Sequence, residues 1–174
     1  MQIVVVYESI YGNTAAVAQA IAEGLQALGD VDVRAVGDEA IAADMLVVGA
    51  PTHAHGLPSS MTRKAIETAA EDAEAKGEPL DYQPTAGIRK FLDRLPEGNG
   101  AAMACFDTRF DTSRILTGSA AKTMAHKLAR RGYRIVAEPE SFFVLDSEGP
   151  LKDGELDRAR RWGASLGATA GASP

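Results

Sequence analysis

The stretch that decides the fold runs from Val4 to Thr14 and reads Val-Val-Val-Tyr-Glu-Ser-Ile-Tyr-Gly-Asn-Thr. A short apolar run of β-forming residues stops, residues rich in hydroxyl groups and glycine follow, and an alanine-rich helix begins. A loop of this kind binds phosphate, because backbone N–H groups and the helix dipole both favour an anion there. From Ser9 to Val33 there is no Lys or Arg, whereas a P-loop nucleotidase needs a Lys at this turn. The sequence therefore predicts a phosphate held by neutral donors, namely the N–H groups of residues 11–14 and the hydroxyls of Ser9 and Thr14.

A plain strand-to-helix turn with a Thr or Asn cap is the alternative interpretation of the same residues. The position of the turn favours a binding site. It follows the first strand of an alternating α/β chain, and ligands of such proteins lie beyond the carboxyl ends of the strands.

Length and composition limit the class of protein. With 174 residues, 45% of them hydrophobic, the chain is neither disordered nor membrane-spanning. We expect one domain over residues 1–166 and a disordered tail of small residues over 167–174. The N-terminus has no export signal and Cys105 is the single cysteine, which predicts a cytoplasmic protein. A net charge of −6 argues against binding nucleic acid and favours a basic partner protein.

Apolar periodicity predicts strands that alternate with helices. This order favours a parallel sheet with helices on both faces. The predicted strands are Ile3–Tyr7, Val31–Val36, Met45–Gly49, Ala101–Phe106 and a last strand within Arg134–Leu145 that Pro139 divides; the predicted helices are Asn13–Leu28, a short turn at Glu39–Ala42, Met61–Lys76, Gly87–Leu95, Ser119–Arg131 and Gly154–Leu166.

The pattern Ser9-x-x-Gly12-x-Thr14 resembles the phosphate loop of the flavodoxins, which hold FMN without a cation at the phosphate. The pattern Ser-x-Tyr-Gly-Asn-Thr is also similar to that of the quinone-reducing, flavodoxin-like WrbA family. The resemblance implies a flavodoxin-like three-layer α/β sandwich around a five-stranded parallel sheet of order 2-1-3-4-5. Flavodoxin is the type example of this order, with FMN at the switch point between strands one and three.

The same resemblance implies the residues that contact the cofactor. The loop after strand three covers one face of the flavin in flavodoxins, and the loop after strand four covers the other. Glycine in the first loop accepts a hydrogen bond from the reduced ring there, although Gly56 could equally serve a turn that needs a positive φ. The implied FMN-binding residues are Ser9, Ile10, Tyr11, Gly12, Asn13, Thr14, Pro51, Thr52, His53, Ala54, His55, Gly56, Phe106, Asp107, Thr108 and Arg109.

The sequence departs from the flavodoxin pattern around the ring. The first loop has no aromatic side chain besides two histidines, and the second has Phe106 and Phe110 but no Tyr. We therefore expect weaker stacking, by about 0.5–1.5 kcal/mol for each missing aromatic pair. Arg109 stands where flavodoxins tend to have acidic residues. A guanidinium about 4 Å from the ring would favour full reduction by roughly 4 kcal/mol at an effective dielectric constant near 20, unless it pairs with Asp107 or Asp111.

Metal and hydrolytic sites have little support. His53 and His55 lack a third ligand at a suitable spacing, and zinc needs three or four. One imidazole is instead expected beside the flavin, where a proton relay would suit its titration near neutral pH. Cys105 at the end of a strand indicates packing, and Ser9 lacks a Gly-x-Ser-x-Gly elbow.

Three functions follow as hypotheses. The first is an FMN-binding protein that shuttles electrons between a reductase and an acceptor, with a basic partner docking on the acidic segment Glu67–Glu78. That segment is otherwise an ordinary solvated helix face. The second is an NAD(P)H-dependent FMN quinone reductase, which needs the open space that a missing Trp leaves over the flavin. The third is an interaction domain that has lost FMN.

Overall fold

A parallel β-sheet runs through the middle of the molecule, with helices on both faces. The structure is a computed structural model that describes residues 1–38, 41–53, 56–77, 87–112, 118–146 and 148–170. Within them the strands are β1 (Gln2–Tyr7), β2 (Asp30–Ala35), β3 (Met45–Pro51), β4 (Ala102–Phe110), β5 (Arg134–Ile135) and β6 (Glu140–Val144). The helices are α1 (Asn13–Leu25), followed by a 3₁₀ turn (Gln26–Leu28), then α2 (Ser60–Ala75), α3 (Ile88–Arg94), α4 (Ala120–Ala129) and α5 (Glu155–Ala170).

The strand order is β2-β1-β3-β4-β5, which confirms the predicted order 2-1-3-4-5. Two short strands share the fifth position. β5 pairs with the start of β4 and β6 pairs with its end, from Phe106 opposite Glu140 to Phe110 opposite Val144. Pro139 lies between β5 and β6, as predicted, because proline cannot donate to a strand ladder.

The fourth strand corrects the sequence prediction. We expected a strand that ends at Phe106 and a loop from there, but β4 continues to Phe110. The reason is β6, which pairs with this second half of β4 over its whole length. Four of the implied cofactor contacts, residues 106–109, therefore lie in a strand and alternate between the two faces of the sheet.

Each face of the sheet carries its own apolar core. On one face the strands pack against α3 and α4, and on the other against α1 and α5. Helices α1 and α5 approach closely because both have glycine at the crossing. A Cβ on Gly163 would lie 2.3 Å from the Ile21 carbonyl oxygen, and one on Gly24 would lie 2.1 Å from that of Arg160. This packing fixes the position of α1, whose N-terminus starts the site.

The ends of the predicted elements differ in detail. Helix α5 runs to Ala170, beyond the predicted end at Leu166, and residues 171–174 lie outside the described part of the chain. The short turn predicted at 39–42 falls partly on residues outside it, and residues 41–42 are not helical. Residues 78–86, between the predicted helices Met61–Lys76 and Gly87–Leu95, also lie outside it. No helix in the described ranges is both long and apolar enough to cross a membrane.

Candidate functional site

A small pocket lies at the carboxyl edge of the sheet, between the loops that follow β1 and β3. These two strands are paired neighbours, so their loops open on the same side. The pocket has a volume of about 80 Å³ and is lined by Ile10, Tyr11, Asn13, Thr14, Pro51, Thr52, His53, Thr108, Arg109, Phe110 and Val144. Nine of the sixteen residues predicted from the sequence are in this lining, so the structure brings more than half of them together.

The N-terminus of α1 forms the inner wall. Gly12 precedes the helix with φ 77° and ψ −22°, a left-handed conformation, and has no side chain of its own to cap the helix. The N–H of Ala15 reaches the Ser9 hydroxyl at 3.3 Å, and that of Ala16 reaches the Gly12 carbonyl at 2.9 Å. The helix has no acceptor for the first N–H groups. Those of Asn13 and Thr14 are therefore left for an anion.

Two buried threonines meet beside these amides. The Thr14 and Thr108 hydroxyl oxygens lie 2.8 Å apart, and both residues line the pocket. One hydroxyl donates to the other, so one of the two protons remains for a ligand. The Ser9 hydroxyl, also buried, accepts from the backbone of α1. Of the predicted pair, Thr14 lines the pocket and Ser9 does not, and β4 adds the hydroxyl of Thr108 to the lining.

Asn13 and Tyr11 form the outer side of this wall. The Asn13 side-chain amide donates to the Glu148 carbonyl at 2.9 Å, which fixes the chain before α5 against the start of α1. Burial, with a smaller contribution from the charge of Glu148, raises the pKa of the Tyr11 phenol. Tyr11 is therefore a neutral hydroxyl at physiological pH.

The loop after β3 forms the opposite wall. The backbones of His53 and Gly56 pair with each other, at 2.8 Å and 2.9 Å. Burial lowers the pKa of His53, so its imidazole is neutral at pH 7. Gly56 is not among the glycines with a positive φ, which overturns the reading that its turn needs one. Ala54 and His55, also predicted to contact the cofactor, lie outside the described residues.

Residues 106–109 separate into two roles. Phe106 is fully buried, and its ring fills the space where a side chain at Gly49 would stand. The ring packs edge-on against Phe142 and Trp162 at 6.2 Å and 6.4 Å. Phe106 is thus a core residue. Asp107 is buried beneath the start of α4 and does not line the pocket, whereas Thr108 and Arg109 do.

Arg109 is held at the edge of the pocket by the end of its own strand. Its Nη1 donates to the carbonyls of Phe110 and Thr112 at 3.0 Å and 2.7 Å, and its guanidinium lies 5.1 Å from the centre of the Phe143 ring. The Asp111 carboxylate lies 2.6 Å from the Lys152 ammonium. That hydrogen bond is the main reason the pKa of Asp111 is lowered.

The predicted cofactor residues omit three that the structure shows at or behind the pocket. Phe110 is 40% exposed at the end of β4 and stands opposite Val144 of β6; only the pairing of these strands identifies Val144. Glu8 is buried behind the wall, where it accepts from the Ile88 N–H at 3.0 Å and lies 3.5 Å from Arg63. A charged residue directly after an apolar strand was a signal for Glu8.

The pocket fits the phosphate end of a nucleotide better than a whole one. Its donors are backbone amides and hydroxyls, with one guanidinium at the edge. Its volume is far below the roughly 300–1,000 Å³ of pockets that enclose a drug-sized ligand. A large flat ring would therefore not be enclosed by this pocket. Within the described ranges, no three His, Cys, Asp or Glu side chains come together as a metal site would require.

Comparison with known proteins gives one family and one fold. The family model described as Flavodoxin matches residues 5–162. No curated protein matches the chain. Among solved structures, Flavodoxin 2 from Bacillus cereus has a TM-score of 0.66 at 17% identity, covering 97% of this chain and 99% of that one. A flavodoxin from the domain Archaea has a TM-score of 0.60 at 20% identity, covering 98% and 99%. A flavodoxin, WrbA-like protein from Agrobacterium tumefaciens has a TM-score of 0.58 at 20% identity, covering 97% and 96%.

Proposed function

Because this chain belongs to the flavodoxin family, which implies a flavin cofactor, we propose that it binds FMN and carries electrons between a reductase and an acceptor. The observation that carries the proposal is the N-terminus of α1. It leaves the amides of Asn13 and Thr14 without an acceptor in the helix, beside the hydroxyl pair of Thr14 and Thr108. This donor set suits a phosphate ester.

The residues of the chain would bind and orient the cofactor. The segment 9–14 would hold the phosphate, and the walls at His53 and Phe110 would flank the ring. A bound flavin supplies the chemistry, since it accepts one or two electrons. The partly exposed Phe110 leaves the outer edge of the site open to an acceptor protein.

Arg109 supports the expectation of a flavin that is easy to reduce. Its guanidinium lines the pocket, and its contacts with the Phe110 and Thr112 carbonyls keep its charge there. A positive charge at this edge favours the negative charge that reduction brings. Unchanged midpoint potentials in Arg109→Gln would contradict this role.

The partner is proposed to be a basic redox protein that docks on α2. Its acidic side chains at Glu67, Glu71, Asp72 and Glu74 are all exposed. No residue of α2 is fully buried, so its acidic side chains are accessible to a partner. Electrostatic attraction speeds the encounter of such partners and weakens with salt. A cytoplasmic location remains a prediction from the sequence.

The second candidate is an NAD(P)H-dependent quinone reductase. One feature favours it: the loop at residues 50–60 has no Trp or Tyr to cover the ring, which leaves room for a nicotinamide.

An absorbance spectrum tests both candidates. The purified protein is mixed with excess FMN and freed of unbound flavin, and retained flavin bands shifted from those of free FMN are the expected result. NADPH added to the same sample then separates the two functions. Rapid bleaching of the flavin bands by NADPH alone supports the quinone reductase. Bleaching that requires a separate reductase protein supports the electron carrier. Complete loss of flavin would contradict both and leave the interaction domain.

A further inference from the structure

The N-terminus of α4 is capped by side chains from three separate places in the chain. The N–H of Ala120 reaches the Thr52 hydroxyl at 2.9 Å, that of Ala121 reaches Asp107 Oδ2 at 2.9 Å, and that of Lys122 reaches the Ser119 hydroxyl at 3.2 Å. An ordinary cap uses only the residue before the helix. Here the loop after β3 and the strand β4 also contribute.

The hydroxyl and the backbone N–H of Thr52 both have hydrogen-bond partners within the protein. Its hydroxyl accepts from Ala120 and donates to Asp107 Oδ2 at 3.1 Å, and its backbone N–H donates to the Thr108 carbonyl at 2.8 Å. A threonine hydroxyl has a single proton, so Thr52 has none left to donate to a ligand. This disfavours Thr52 as a direct hydrogen-bond donor to a cofactor, although it lines the pocket.

The next residue is His53, which forms the wall of the pocket. Its backbone pairs with Gly56 in both directions, and Thr52 directly precedes this pair. The carboxylate that receives the Thr52 proton is fully buried and also accepts from the Ser119 hydroxyl at 2.6 Å. Thr52 is therefore anchored in the interior, at the start of a packed helix.

We propose that Thr52 is a positioning residue that couples the N-terminus of α4 to the loop after β3, and thereby holds His53 at the pocket. The consequence for cofactor affinity rests on the proposed binding of FMN. The coupling itself concerns the protein alone and is measured without a ligand.

The test compares Thr52→Val, which keeps the shape and removes both hydrogen bonds, with Thr52→Ser, which keeps the hydroxyl. The readout is the titration of the His53 imidazole by NMR, without flavin. In Thr52→Val the released loop is hydrated and the pKa of His53 rises toward its ordinary value, whereas Thr52→Ser restores the wild-type titration. FMN affinity falls about tenfold in Thr52→Val, the effect of a loosened wall worth one hydrogen bond.

Ser119→Ala is the control, because it weakens the same cap from outside the loop and should leave the His53 titration unchanged. An unaltered His53 titration in Thr52→Val would overturn the proposal and would show that Thr52 only caps α4. If wild-type protein retains no FMN, the proposed function fails, but the titration still decides the coupling.

A second measurement needs no variant. Hydrogen exchange of the wild-type protein should show the amides of Ala120 and Gly56 opening with the same free energy, since the coupled segments open together. Clearly different opening free energies would overturn the proposal.

Discussion

Helices α1 and α4 both begin at the carboxyl edge of the same sheet, but their N-termini are completed in opposite ways. At α4, three consecutive amides are taken by Thr52, Asp107 and Ser119, one of them a buried carboxylate. At α1 only the third amide, that of Ala15, has a side-chain acceptor, the Ser9 hydroxyl at 3.3 Å, and Gly12 turns the chain in a left-handed conformation before the helix. Both ends have the same dipole. The difference means that the amides of α4 are satisfied by the protein itself, whereas the first amides of α1 are open to the ligand that we propose.

Removing the carboxylate at α4 should have the largest effect on stability. Asp107→Ala leaves the Ala121 amide and the Ser119 hydroxyl without their acceptor in the interior, which we expect to cost about 3 kcal/mol of unfolding free energy. Asp107→Asn keeps a carbonyl oxygen for these donors and should cost less. Urea unfolding measures both variants. A cost below about 1 kcal/mol for the alanine variant would mean that the cap contributes little.

A side chain at Gly12 should damage the α1 end in a different way. An L-residue in the left-handed region costs roughly 1–2 kcal/mol, and relaxation of that strain moves the amides of Asn13 and Thr14. Gly12→Ala should therefore lower FMN affinity at least about tenfold, measured by flavin titration.

The matched control is Gly100→Ala. Gly100 also has a positive φ, 82°, with open space around the position of a Cβ, but it precedes β4 at the opposite edge of the sheet. It should lose similar stability and keep its FMN affinity. Equal affinity losses in the two variants would show that backbone strain alone explains the result, and that the position of the amides at the α1 N-terminus does not.

The Ser119 hydroxyl should contribute less than Asp107 to the α4 end. Ser119→Ala removes an ordinary cap, and we expect a loss of about 1 kcal/mol. Its nearest equivalent is Ser59, whose hydroxyl accepts from Thr62 at the start of the exposed helix α2. Ser59→Ala should cost less than Ser119→Ala in thermal unfolding, because Ser59 is only half-buried and water replaces its hydrogen bond more readily. The reverse order would contradict the importance of burial at α4.

The smallest effect should be the pH dependence of folding stability that comes from His53, which lines the pocket. Burial lowers its pKa in the folded protein, so the unfolded chain binds a proton first as the pH falls below about 6.5. Folded stability attributable to His53 is therefore complete above that pH and decreases below it, down to the folded pKa. Unfolding experiments at pH 7 and pH 5 should show a smaller loss in His53→Gln. An identical loss would indicate that His53 titrates normally.

Much of the fold could be predicted from the sequence because its signals are local. Glycine and hydroxyl residues after Val6 mark the first turn, and Pro139 marks the break in the last strand. The length of β4 could not be predicted in this way, since its second half is a strand only through pairing with β6.

The same limit applies to the candidate site. Segment 9–14 is contiguous, so its pattern is visible in the sequence. The contribution of Val144 depends on its pairing with Phe110, 34 positions away, and the contact of Thr52 with the start of α4 depends on Ala120, 68 positions away. Phe106 and Asp107 were assigned to the cofactor because a loop was expected where the structure has a buried strand.

The most direct test of the open α1 end is the affinity for FMN compared with that for riboflavin, which lacks the phosphate. Amides that bind an anion contribute about 1.5–3 kcal/mol each, so two of them predict FMN binding at least about a hundredfold tighter than riboflavin. Gly12→Ala should reduce this ratio, and Gly100→Ala should leave it unchanged. Equal affinities for FMN and riboflavin in the wild-type protein would contradict the assignment of the α1 N-terminus as the phosphate site.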